Sequence, residues 1–337
     1  MLKPIDVSIT VDTEFSIGGA FAEPERFEPI GLDNVYCPAN GKQNGLPFLI
    51  DTLEANGLDA TFFVETMQTA WFGDAPMKQV VDEIMAAGQD VQMHLHPVWA
   101  WFKDADWKAR LRRETPHDDC TAVEFSEFCG MIAEGIETLQ RWGAERPVAF
   151  RTGGLKASTS VCKALRLNDI GLASNVGLAY LPPAEPELHL TGGVHEVEGI
   201  LEAPVCSYVD MQAFGRRHTR LLSITAVSFP EMKSLLDQAY LEQISPIVIL
   251  THPFEFVKTA PAGRPGVRSN RINRGRFEKL CRYIAQSPDR MQAVTFAQAA
   301  AGRWQVTDRN TPQLRVPMTA TVRRMASNRL NDLIPAL

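Results

Sequence analysis

No two cysteines of this chain are spaced C-x-x-C, and the six present, from Cys37 to Cys281, are scattered over 337 residues. That spacing offers neither a disulfide framework nor a cysteine zinc site, and favours free thiols in a reducing compartment. No window approaches the roughly 18 consecutive apolar residues of a membrane span. The start, Met1-Leu2-Lys3-Pro4-Ile5-Asp6, has no charged segment leading into an apolar one, so no secretory signal is expected. A cytoplasmic location is the expectation. Positive charge is not in excess: the net charge is −6, which argues against a general nucleic-acid binder. Internal repeats and low-complexity linkers are also missing.

What is present is the composition of a soluble globular chain, 45% hydrophobic and 22% charged, long enough to bury a sizeable core. Val7, Ile9 and Val11 alternate with polar residues as in a first strand. A helix-like stretch from about 46 to 56 precedes the apolar run Thr61-Phe62-Phe63-Val64. Met77, Val80 and Ile84 fall at helical spacing and lead through Gly88 into Val91-Gln92-Met93-His94-Leu95-His96. Phe125, Phe128, Ile132, Ile136 and Leu139 mark an amphipathic helix before the strand Pro147-Val148-Ala149-Phe150. Leu201 to Pro204 and Ile247 to Leu250 read as later strands, and Phe277, Leu280, Cys281 and Ile284 as a further helix. Strands alternating with helices predict an α/β fold with a parallel sheet, open or closed into a barrel. One domain over residues 1–302 is expected. A C-terminal extension, 303–337, carries Pro312, Pro317 and the basic residues Arg323, Arg324 and Arg329.

The titratable residues gather at predicted strand ends, where parallel α/β proteins place their sites. The first strand ends in Asp12-Thr13-Glu14, the third in His94-Leu95-His96, the next in Arg151 and the late one in His252. A period of two puts His94 and His96 on one face, so both imidazoles can converge on one cation. A carboxylate from a neighbouring strand would complete a three-ligand site open to water. H-x-H alone reads equally well as a polar strand end satisfied by hydrogen bonds; the acidic pair elsewhere favours metal. Of Asp12 and Glu14, one can ligate while the other acts as general base.

The stretch from Asn44 to Glu54, followed by Ala60-Thr61-Phe62-Phe63-Val64, resembles the first helix and the ATFFV strand of the polysaccharide deacetylases (carbohydrate esterase family four, the NodB-homology domain). Thr10-Val11-Asp12-Thr13-Glu14 is similar to that family's T-F-D-D-G motif, and His94-Leu95-His96-Pro97 to its metal motif. Phe150-Arg151-Thr152-Gly153-Gly154 is similar to its arginine motif, and Leu250-Thr251-His252-Pro253 to its late histidine motif. Three departures stand out. Thr13 replaces the family's second aspartate, with Glu14 the nearest substitute. H-x-H-P replaces H-x-x-x-H-P. Near Gly171 to Asn175 only Asn175 stands where an aspartate tunes the catalytic histidine.

The resemblance implies a distorted (β/α) barrel of parallel strands with the site at their C-terminal ends. It implies a divalent cation, Zn²⁺ by expectation, on Glu14, His94 and His96. Asp12 would take the proton of a water, Arg151 would hold Asp12 ionised, and His252 would protonate the leaving amine. Backbone N–H groups at Gly153 and Gly154 would help with the oxyanion. Trp99 and Trp101 are expected to stack on sugar rings. Arg271 and Arg274, in an arginine-rich stretch from Arg264 to Arg276, are expected to hold the phosphate of a lipid- or nucleotide-linked sugar. The expected activity is N-deacetylation or N-deformylation of a sugar precursor for a surface polysaccharide or glycolipid. Hydrolysis of a non-sugar amide or cyclic imide, and an inactive carbohydrate-binding homologue, are the alternatives; a homo-oligomer is left open.

Overall fold

The computed structural model describes residues 2–213, 215–259, 267–307 and 312–333. Its main sheet is built from β1 (Ile5–Thr13), β2 (Thr61–Glu65), β3 (Asp90–Leu95), β4 (Ala149–Thr152), β5 (Leu172–Ala173), β6 (His195–Val197), β7 (Ile200–Glu202), β10 (Ile247–Thr251) and β11 (Met291–Ala293). A hairpin of β8 (Ser207–Ala213) and β9 (Arg216–Leu221) stands apart from it. The strand order is β10-β1-β2-β3-β4-β5-β7-β6, with β11 also on β1. All pairings in this sheet are parallel except β6 with β7.

The sheet curls into a distorted barrel. Beyond β7 the chain reaches β10 again through single bridges, Val205 to Val248 and Ser223 to Leu250. Cys206 N–H donates to Val248 O and Ile224 N–H to Leu250 O. These isolated contacts do the joining that a full strand does in a regular barrel.

Every residue of β1 is buried, polar ones included. Val7, Ile9 and Val11 belong to one hydrophobic cluster, whereas Ser8, Thr10 and Asp12 alternate with them on the other side of the strand. Their polar groups are satisfied: Ser8 Oγ donates to Val294 O and Thr10 Oγ1 to Ile249 O. Helices α1 (Leu46–Glu54), α2 (Ala75–Ala86), α3 (Phe125–Arg141) and α4 (Thr159–Leu167) fall between successive strands in the manner of parallel crossovers. On α3, Phe128, Ile132, Ile136 and Leu139 are buried and Phe125 is exposed. Then come α5 (Phe229–Glu242) and α6 (Arg271–Ala285).

The segment after 302 packs closely on the body. Arg303 forms a two-pronged pair with Asp6 at 2.8 Å, and Trp304 Nε1 donates to the same carboxylate. Leu314 and Val316 bond to the Val209 backbone on the hairpin. Helix α7 (Met318–Leu333) follows, and its Arg324 is buried between Asp210 and Glu231. No helix among the described residues is long and apolar enough to cross a membrane.

Candidate active site

At the C-terminal ends of β1 and β3, Glu14, His94 and His96 each offer one donor atom, all within 4.8 Å of one another. Glu14 Oε2 lies 2.7 Å from His96 Nε2 and 3.4 Å from His94 Nε2. The other ring nitrogens are taken. His94 Nδ1 is 2.8 Å from Arg151 O, and His96 Nδ1 is 2.6 Å from Asp118 Oδ2. With a carbonyl and a carboxylate as partners, both Nδ1 atoms carry the proton, so both Nε2 lone pairs face the Glu14 carboxylate. Three acceptors pointing at one another repel unless a positive charge sits among them. The donor chemistry, two imidazoles oriented by outer hydrogen bonds plus one carboxylate, fits a divalent cation such as Zn²⁺. Burial opposes the charge on both Glu14 and His96, yet each favours the other's. Protonated His96 holds Glu14 well below the usual carboxylate range, and Glu14 with Asp118 raises His96 well above the usual imidazole range, the proton standing where a cation would sit.

Glu65, at the end of β2, fixes the turn beneath this cluster. It accepts from His96 N–H at 2.5 Å and from Met67 N–H at 2.6 Å. Burial pushes its carboxyl up to about 7. Gly153 explains the closeness of β4: a Cβ there would stand 2.3 Å from His96 Nδ1.

Asp12 lies outside this trio and pairs elsewhere. Its Oδ1 accepts from Arg151 Nη1 at 2.6 Å, with both side chains buried. Arg151 is held on every side, by Thr10 Oγ1 at 2.9 Å, Ser174 O at 3.0 Å, Ser174 Oγ at 2.8 Å, and the Phe63 ring 4.3 Å away. Behind Ser174, the Glu202 carboxylate accepts from Asn175 N–H and Val176 N–H. Beside Asp12 stands His252, whose Nε2 is 3.8 Å from Asp12 Oδ2 and whose Nδ1 is 3.0 Å from Glu255 Oε1. Burial works against the charged imidazole, but the Glu255 hydrogen bond and charge, with Asp12 and Glu14 behind, raise it to about 9.

A cleft of about 530 Å³ opens over these groups, lined by Asp12, Glu14, His94, His96 and His252 on one side. That size suits a small-molecule ligand. Gly154 lines it, whereas Gly153 is buried against His96. Trp99 and Trp101 do not fit the stacking role: both are buried, in an aromatic cluster with Phe72, Phe102 and Trp107. An insertion rich in aromatics bought its packing by covering its own rings. The exposed aromatic on the cleft is Tyr180 instead. Arg274 also sits away from the cleft, its guanidinium over Phe48 and Nη1 on Asn44, and Arg271 does not line the cleft either. Arg264 falls outside the described residues.

Comparison of the structure with solved proteins finds a Mycobacterium smegmatis protein assigned as a polysaccharide deacetylase. It is 18% identical over 93% of this chain and 96% of that one, with a TM-score of 0.53. The chain has the polysaccharide deacetylase fold. Two further structures are more distant: a family 4 carbohydrate esterase from Streptomyces lividans (14% identity, TM-score 0.41, 91% and 100% of the two chains) and a peptidoglycan deacetylase from Bacillus subtilis (10%, 0.40, 89% and 93%). No family model matches the sequence, and no curated protein does.

Within this fold, three residues beyond the sequence motifs hold the site together: Asp118, Glu65 and Glu255. Only Glu255 had a local signal, three residues after His252 on the same turn. Asp118 and Glu65 reach the histidines from other parts of the chain.

Proposed function

We propose that this chain is a metal-dependent hydrolase that removes the acyl group from an N-acylated sugar precursor. One observation carries the reading: three metal-type donors, a separate Asp12–Arg151 pair and His252 line one cleft together. Fold alone would not carry it.

Glu14, His94 and His96 would hold the cation, which when bound polarises the amide carbonyl and acidifies a water. Asp12, kept ionised by Arg151, is the base that takes the proton from the attacking water. His252, beside Asp12 and protonated through Glu255, gives its proton to the departing amine. The carboxylate and the amine then leave, and a proton shift from Asp12 to His252 through solvent restores both groups. Tyr180 offers a ring face to the sugar. The six free cysteines support a reducing, cytoplasmic setting, in which a lipid- or nucleotide-linked precursor is the accessible substrate.

Metal analysis of protein prepared without chelator, joined to an assay of amine release, tests this. About one equivalent of metal and turnover of N-acetylated or N-formylated sugars are expected, both lost in His94→Ala. Turnover confined to ureides or cyclic imides would move the substrate class. Metal-free, inactive protein even after Zn²⁺, Co²⁺ or Ni²⁺ addition would leave a binding module.

A further inference from the structure

The cleft has two chemically different walls. One carries the carboxylates Asp12, Glu14 and Glu255 with their histidines. The other is formed largely by β9, whose run Arg216-Arg217-His218-Thr219-Arg220 is cationic. His218, Thr219, Arg220 and Leu221 of this strand line the cleft, and the two with cationic or imidazole side chains are His218 and Arg220. They stand two apart on one strand and so share a face.

Both are anchored by a single buried carboxylate. The β8–β9 register shifts between Val209 and Met211, a bulge that re-aims the Asp210 side chain. Asp210 Oδ1 meets His218 Nδ1 at 2.5 Å, and Oδ2 accepts from Arg220 Nε at 3.0 Å. Arg324 of α7 closes the arrangement from behind, its Nη2 2.6 Å from Asp210 Oδ2. Arg220 thus spends only Nε on the protein. Its two terminal amino groups have no hydrogen-bond partner among the described residues, although the side chain is 29% exposed. His218 gives its Nδ1–H to Asp210, so its Nε2 lone pair faces the cleft as an acceptor for a hydroxyl rather than as a donor to an anion. A guanidinium fixed through one nitrogen, with its fork unfilled in a cleft, has the form of a preorganised oxyanion receptor.

The acidic wall repels a free anion, and the hairpin attracts one. A substrate with an anionic group at one end is therefore oriented with its other end over Asp12 and His252. We propose that Arg220 forms an anion subsite, so that the acylated sugar taken by this cleft carries a phosphate or a carboxylate. This rests on the hydrolase reading only in naming the bound molecule a substrate. It also relocates the phosphate contact expected at Arg271 and Arg274 to the hairpin.

Calorimetry on the full, metal-loaded chain with glucose 1-phosphate, glucuronate and glucose tests the subsite. None of these has an acyl group to lose, so binding is read without turnover. At least one of the two anionic sugars should bind about 10-fold or more tighter than glucose, as charge-assisted hydrogen bonds require. A phosphate site favours glucose 1-phosphate, a carboxylate site glucuronate. Arg220→Gln should erase the preference and leave glucose binding unchanged, while Arg217→Gln, on the exposed strand face, should keep it. Arg220→Lys, with the charge but not the fork, should keep part of it and answers the question if the glutamine variant fails to fold. Equal binding of all three sugars, or a preference that survives Arg220→Gln, overturns the subsite. An Arg220-dependent preference without amine release from any acylated sugar sustains the subsite and removes the hydrolase reading alone.

Discussion

His252 and Glu255 are paired at the cleft, with Nδ1 3.0 Å from Oε1 across a single turn of 3-10 helix. The same carboxylate is steadied by Thr251 Oγ1, which donates to Oε2 at 2.8 Å. The carboxylate partner of the His252 imidazole therefore comes from the residues just after it, and Asn175 serves elsewhere, its Oδ1 accepting from Thr152 N–H.

That pairing sets a pH dependence. The His252 imidazole is raised from 6.5 to about 9, and in the proposed mechanism its protonated form is the proton donor. Activity should hold through neutral pH and fall as pH rises through about 9. The charged contacts of His252 likewise stabilise the fold fully below about 6.5 and cease to do so above about 9, because a raised group loses its advantage on deprotonation. Glu255→Gln should move the alkaline limb of the kcat profile toward neutrality. An unmoved limb would remove His252 as the acid.

Gly153→Ala should damage the metal centre more than the fold. The added methyl would lie 2.3 Å from His96 Nδ1, so the ring must turn and lose Asp118. Loss of such an outer hydrogen bond typically costs about 10- to 100-fold in metal affinity. Competition with a chromogenic chelator reads it, and Asp118→Asn should give a similar loss.

Arg151→Met removes the guanidinium that pairs with buried Asp12 at 2.6 Å. Stranding a buried charge costs about 3–5 kcal/mol, to be seen in urea denaturation. Asp12→Asn keeps the shape and should cost far less stability, but about 10²- to 10⁴-fold in turnover if Asp12 is the base. Unchanged turnover in Asp12→Asn would end that assignment.

Arg324→Ala strands buried Glu231 and takes one cationic partner from buried Asp210, which keeps His218 and Arg220. A loss of about 3–5 kcal/mol is expected, with increased hydrogen exchange in β8 and β9. No change in hairpin exchange would mean that α7 does not support this wall of the cleft.

The sequence by itself determined most of the frame. Alternation in Val7–Val11 and Val91–His96 fixed two central strands, and the helical spacing of Phe128 to Leu139 fixed α3, because burial of one face leaves a local period. Clustering of Asp12, Glu14, His94, His96, Arg151 and His252 at strand ends was legible for the same reason. Partnership was not. Asp12 and Glu14 are two residues apart and chemically alike; only the folded neighbours, Arg151 for one and the imidazoles for the other, separate their roles. Whether Trp99 and Trp101 face solvent or each other's neighbours depends on how the insertion folds back, and local composition does not encode it. The second wall of the cleft, the Asp118, Glu65 and Arg324 contacts, and the barrel closure through Val205 and Val248 all join residues far apart in the chain. Such contacts leave no period in the sequence, so only the tertiary structure decides them.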